Sequence, residues 1–224
     1  MRTAQDILTT CSGLLLDEDH AHWPLTELCK WLNFGLDAIT LQKPSASAVT
    51  ATVPLVEGTR QQLPANYVSV LRPIRNVPGA NADREPRRRI TVVNEEELTG
   101  LNPSWDDPLS VRYRQQARHF VFDEANPKTF YVYPGNDGTG ALEMVLSAIP
   151  EKIAPTGDPE NIASYGTELP LDETYHDALV DYIMYRAYSK DAQFAGMANR
   201  AALHYSQFAS SLGIKLAVEA NTSP

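Results

Sequence analysis

Leu36-Asp37-Ala38-Ile39-Thr40-Leu41-Gln42-Lys43-Pro44-Ser45-Ala46-Ser47-Ala48-Val49-Thr50-Ala51-Thr52-Val53 changes its period halfway along. Before Pro44, Leu36 and Ile39 continue a helical spacing that already holds Leu28, Trp31, Leu32 and Gly35. After Ser45, branched and small residues alternate with the two-residue period of a strand. Pro44 ends the helix, because proline has no amide hydrogen and its ring clashes with the turn before it. Helix therefore gives way to sheet within one chain, which is the mark of an α+β fold.

Toward the N-terminus, the second helix begins near Trp23-Pro24, where an early proline leaves no helical bond unmade. Ahead of it, Ala4, Ile7, Leu8, Cys11, Leu14 and Leu15 recur on one helical face, behind Thr3 as N-cap. This first helix stops in Asp17-Glu18-Asp19-His20.

Toward the C-terminus, Glu57-Gly58 reads as a turn, so Thr59–Leu63 is expected to pair back on Val49–Val53 as a hairpin. Val68–Val77 is extended and broken by Pro73. Ile90–Val93 is a short strand. Glu95–Leu98 is one helical turn closed by Gly100. Val111–Gln115, His119–Asp123, Thr129–Tyr133 and Leu142–Ala148 are strand-like, with turns at Asn126-Pro127 and Gly135-Asn136-Asp137-Gly138. A proline- and glycine-rich stretch, Pro150–Pro170, leads out of this region. Two further helices follow, over Asp172–Asp191 and Phe194–Leu212, the last capped by Gly213.

A helix pair at each end cannot bury its apolar faces alone. The economical arrangement is a four-helix bundle formed by the N- and C-terminal helix pairs, with an inserted antiparallel β-region. The expected boundaries are residues 1–44 and 151–213 for the bundle, 45–150 for the β-domain and 214–224 for an extended tail.

Composition narrows the function. Of 224 residues, 43% are hydrophobic and 21% charged, as in a globular protein with a core. The formal net charge of −9 argues against a dedicated nucleic-acid binder, which needs a basic surface to displace counterions. No run approaches the roughly 18 apolar residues of a membrane span. The N-terminus lacks the basic start and apolar run of a signal peptide, so folding in the cytoplasm is expected. Cys11 and Cys29 sit in helical apolar patterns and read as small core hydrophobes, against a disulfide or a reactive thiol.

The search for chemistry yields weak candidates. No G-x-S-x-G, H-E-x-x-H or G-x-x-x-x-G-K motif occurs. His20 and His22 beside Asp17, Glu18 and Asp19 read as a solvated helix end before they read as a metal cluster. Glu95-Glu96-Glu97 reads as an acidic first turn favoured by the helix dipole, before it reads as acid–base machinery. No metal site and no cofactor are expected, and the protein is not expected to be an enzyme. Arg186 falls within the apolar face of its helix and is expected to be a structural anchor, or else a contact with a partner chain. Arg84, Arg87, Arg88 and Arg89 form the one concentrated basic loop, a solvated loop or a contact with an acidic partner or DNA phosphates.

Three groups of residues carry a resemblance. The first is Trp31-Leu32-Asn33, Ala38-Ile39, Gln62-Leu63-Pro64, Arg75-Asn76 and Pro103-x-Trp105. The second is Phe122-Asp123-x-x-x-Pro127-x-x-Phe130-Tyr131-Val132-Tyr133-Pro134. The third is Tyr175-x-x-Ala178-Leu179-Val180-Asp181-Tyr182, then Tyr185-Arg186-Ala187-Tyr188-Ser189-Lys190-Asp191-Ala192. In this order they resemble a family of tailed-bacteriophage head-to-tail adaptor proteins.

The resemblance implies a virion protein of the neck, assembled in the host cytoplasm. It implies a ring of this chain, commonly twelve copies, beneath the portal protein. Genomic DNA would pass through the lumen without sequence-specific binding, and a tail, nozzle or tail-completion protein would dock below. The bundle and the tail segment would face the portal, with Ile214, Lys215, Leu216 and Val218 as docking residues. The alternatives are a tail-completion or tail-tube protein, and then a cell-wall hydrolase.

Overall fold

The computed structural model describes residues 2–77, 88–123 and 125–213. They form two compact units. One joins the chain up to Ala46 with the chain from Pro150 onward, and the other runs from Ser47 to Ile149.

The first unit is helical. Helix α1 spans Ala4–Leu15 and α2 spans Leu25–Gln42. Thr3 starts α1 with a reciprocal capping box. Its hydroxyl accepts from the Asp6 amide at 3.3 Å, and the Asp6 carboxylate accepts from the Thr3 amide at 2.8 Å. Those bonds hold the Asp6 carboxyl below the ordinary carboxylate range. The helical face read from the sequence is buried except at Leu14, which is 53% exposed: Ile7, Leu8 and Cys11 of α1 meet Leu28, Leu32, Leu36 and Ile39 of α2.

Near the C-terminus, α4 (His176–Lys190) and α5 (Met197–Ser211) add Leu179, Ile183, Ala187, Ala201 and Phe208 to the same core. A 3-10 turn at Glu173–Tyr175 precedes α4, so the helix proper begins later than the expected Asp172. Pro150–Pro170 is irregular apart from a 3-10 turn, Ile162–Tyr165, yet it buries Ile153 and Tyr165 in the core. Gly35 lets α2 and α4 approach closely. A β-carbon there would lie 3.1 Å from Leu179 and 3.2 Å from the Tyr182 ring.

The second unit holds two sheets. In one, β1 (Ala48–Pro54) and β3 (Tyr67–Val77) flank β7 (Ala141–Ala148), all antiparallel. In the other the order is β2 (Glu57–Gln62), β6 (Thr129–Asp137), β5 (His119–Phe122), β4 (Thr91–Val92). Leu142, Met144 and Leu146 alternate along β7 and are fully buried against Val53, Phe120, Phe130 and Val132.

The predicted hairpin does not form: β1 pairs with β7 and β2 with β6, in different sheets. The chain changes sheets at Leu55-Val56, where Leu55 N–H donates to the Gly140 carbonyl. The Gln61 side chain takes both backbone groups of Val56. Glu57-Gly58 therefore opens a strand rather than making a turn.

Pro73 does not break β3, because β3 lies at a sheet edge and the proline falls beside a register irregularity. Gly135–Asp137 belongs to β6 rather than a turn. The β-region is not wholly antiparallel, since β4 runs parallel to β5. Helix α3 (Glu95–Leu101) continues through Gly100 to its C-cap at Asn102.

Val111–Gln115 is not a strand. Arg114 makes an isolated bridge to β6, its N–H donating to the Gly135 carbonyl at 2.8 Å and its carbonyl accepting from the Asp137 amide at 3.3 Å, and two buried asparagine side chains hold the non-strand backbone around it. Asn76 donates to the Arg88 and Ala117 carbonyls at 3.0 and 2.8 Å and accepts from the Ala117 amide at 2.9 Å. Asn136 donates to the Arg114 and Gln115 carbonyls at 3.2 and 2.7 Å. It accepts from the Gly138 and Gly140 amides at 2.9 and 3.1 Å.

Candidate functional site

The acidic turn is the first place to look for chemistry. Asn94 caps α3 through the Glu96 amide at 3.1 Å, so Glu95, Glu96 and Glu97 fan out around the first turn. They edge a wide depression of about 960 Å³, shared with Val92, Thr99, Phe122 and Asp123. All three side chains belong to exposed residues, and consecutive helical positions point in different directions. Their carboxylates do not face one another across a cleft as hydrolytic acid pairs do.

The histidines near α1 serve the loop. Asp17 accepts from the amides of Ala21, His22 and Trp23, the last at 2.8 Å, and these bonds outweigh burial to keep its carboxyl below the ordinary range. His22 Nε2 meets the Asp191 carboxylate at 2.6 Å, and His20 Nδ1 lies 3.3 Å from the Ser12 hydroxyl. Among the described residues no group of three or more His, Cys, Asp or Glu is arranged to hold a metal ion. Cys11 and Cys29 are free and buried. Burial pushes their thiols up to about 12 and about 11, which leaves both unreactive near neutrality.

Of the basic loop, Arg84 and Arg87 lie outside the described residues, as do Ile214, Lys215, Leu216 and Val218. The Arg88 carbonyl is held by Asn76, and Arg89 bridges Arg75 across the backbone, so the loop's end is tied to β3.

Arg186 is half-buried, with its guanidinium 5.8 Å from the centre of the Phe34 ring. Lys30 approaches the same ring at 5.7 Å. Phe34 sits beside an apolar groove of about 360 Å³ lined by Cys29, Ile153, Pro155 and Tyr165, with Asp37 and Lys152 paired at its edge. Further along α4, Tyr182 packs edge-on to Phe208, and Tyr185 lies 5.0 Å from Tyr205. The sequence signals Arg186 but not this groove, because Lys30 and Phe34 fall on the face of α2 opposite its core stripe. The groove's other wall comes from more than a hundred residues away.

The described residues thus offer exposed apolar and charged faces, which suits binding to other chains. No helix among them is long and apolar enough to cross a membrane. A protein-family model described as SU10 adaptor protein matches residues 2–224 of the chain. No curated protein matches it.

Proposed function

The chain belongs to the SU10 adaptor protein family, a family of phage head-to-tail adaptors, and from that premise we propose that it builds the neck of a tailed phage. It is a structural component of the virion. In the proposed assembly, copies close into a ring, a dodecamer, seated beneath the portal protein. The ring extends the DNA conduit and offers its lower face to a tail, nozzle or tail-completion protein. The observation that carries this reading is the family match over nearly the whole chain, covering both units.

In this reading α1, α2, α4 and α5 make a four-helix bundle that faces the portal. The shared core of these helices supports that arrangement. Residues 214–224 would dock on the portal through Ile214, Leu216 and Val218, with Lys215 among them. The loop of Arg84, Arg87, Arg88 and Arg89 would meet an acidic neighbour. The chain would assemble in the host cytoplasm and carry out no catalysis.

The charge suits a conduit. A subunit with a formal net charge of −9, repeated around a ring, repels phosphate at short range. Salt confines that repulsion to about 8–10 Å, so DNA slides without being gripped.

The test is to mix the purified chain with portal rings and read the product by mass and electron microscopy. The expected result is a defined complex that lengthens the portal stalk, with a fixed number of copies per ring. A chain that ignores portal but binds tail subunits would overturn the adaptor role in favour of a tail-completion protein.

A further inference from the structure

The C-terminal corner of α1 shows two leucines to solvent. Leu14 is 53% exposed and Leu16 90%. Leu16 also has a φ of 56°, a left-handed conformation that is strained for a residue with a β-carbon. Glycine at this cap would avoid both penalties. Glu18 and Asp19 follow, both exposed, while Asp17 is committed to the three amides that hold the loop. The corner is therefore a fixed apolar knob with two carboxylates that make no ion pair among the described residues.

The groove beside Phe34 is its chemical complement. The ring is 39% exposed and has two cations near its centre, Lys30 at 5.7 Å and Arg186 at 5.8 Å. The groove's acid, Asp37, is already neutralised by Lys152. An apolar slot lined by Lys30, with Arg186 beside the Phe34 ring, suits an apolar segment that brings carboxylates with it.

We propose that the Leu14–Leu16 knob of one copy seats in the Phe34 groove of the next, with Glu18 and Asp19 meeting Lys30 and Arg186. Two different patches on one chain make a head-to-tail contact, the kind that closes into a ring by rotation. This contact rests on the ring reading above and names the surfaces that would make it.

The test uses the full chain, with assembly followed by mass photometry in solution and on portal rings. Leu16→Gly relieves the left-handed strain, so the monomer should keep or gain thermal stability. Its assembly should nevertheless weaken by about tenfold or more. Glu18→Lys with Asp19→Lys, or Lys30→Glu alone, should weaken assembly similarly, and combining them should restore it in part.

If the unchanged chain stays monomeric both free and on portal, the ring fails and this contact with it. If it assembles but Leu16→Gly and the charge reversals have no effect, the contact alone is overturned. Weakening without restoration would put the two patches in separate contacts and would also overturn the pairing.

Discussion

The helical and β units are stabilised by different means. The helical unit rests on a continuous aliphatic core in which Leu28, Leu32, Leu36, Leu179 and Ile183 share the burial. No one of them is irreplaceable in kind, since such cores tolerate repacking when volume is kept. The β unit also has a core, but its path depends on single polar groups. Asn76 and Asn136 each satisfy three or four backbone groups of residues outside the strands. One unit distributes its stability over many small contacts, and the other concentrates it in a few positions.

The sharpest test of that contrast is the same substitution in both units. In Gly140→Ala the new β-carbon would lie 2.2 Å from the Gln115 carbonyl oxygen and 2.3 Å from Asn136 Nδ2. Backbone must move and the Asn136 clamp must open, so a loss of about 4 kcal/mol or more is expected. In Gly35→Ala the neighbours are side-chain atoms, the Leu179 Cδ2 methyl at 3.1 Å and the Tyr182 ring at 3.2 Å, and no backbone. They can shift, and alanine gains about 1 kcal/mol over glycine inside a helix. Chemical denaturation should therefore place Gly35→Ala within about 1 kcal/mol of the unchanged chain. A comparable loss from both would refute the contrast.

Asn76→Ala comes next. It leaves the Ala117 amide and two carbonyls without their side-chain partner in a buried place. A loss of about 2–3 kcal/mol is expected, read by denaturation. Hydrogen exchange should rise first at Ala117.

These two asparagines also explain what the sequence could and could not convey. Helix α1 was legible because Thr3, Asp6 and the 3–4 spacing are all local. The same holds for α2, α4 and α5, and for the alternation in β7. Pairing was not local. Thr59–Leu63 has the alternation to pair with either neighbour, and the Gln61 and Leu55 bonds that separate the sheets involve no repeating pattern. Val111–Gln115 has a strand-like composition, but its backbone bonds to β6 fall at Arg114, and the Asn136 side chain takes the Arg114 and Gln115 carbonyls. Gly100 reads as a stop, yet an exposed glycine within a short helix costs only about 1 kcal/mol. As for the site, Arg186 stood out as a charge on an apolar face. Its neighbours Lys30 and Phe34 did not, since each is ordinary on an exposed helical face.

Acid should weaken both units, the helical one more. Burial, and then the charge of Arg2, push the His176 imidazole below its usual value, although Glu173, Asp172 and Asp177 pull the other way. Neither of its ring nitrogens has a partner among the described residues. His119 is pushed down by burial and then by Arg118 and Arg88, and its buried Nδ1 has no partner among the described residues. A folded value below the unfolded one, about 6.5, means the unfolded chain binds more protons in acid. Stability is then full above about pH 6.5 and falls as the pH drops below it. His176→Leu should flatten most of that decline between about pH 7 and 5, and His119→Phe less of it. An unchanged slope in His176→Leu would show that its burial does not govern the acid response.

The smallest expected effects separate a helix that carries a core from one that does not. Thr3 caps a helix of 12 residues that buries Ile7, Leu8 and Cys11. Thr3→Ala should cost about 1 kcal/mol of the unit's stability, since the Asp6 amide loses its acceptor within a cooperative core. Asn94 caps α3, seven residues long with only Leu98 buried. That helix can fray without exposing much apolar surface, so the cap's loss is absorbed locally. Asn94→Ala should leave the global transition within about 0.5 kcal/mol of the unchanged chain and raise amide exchange only near Glu96. Equal global losses from the two would mean that α3 is as tightly coupled to its unit as α1 is to its own.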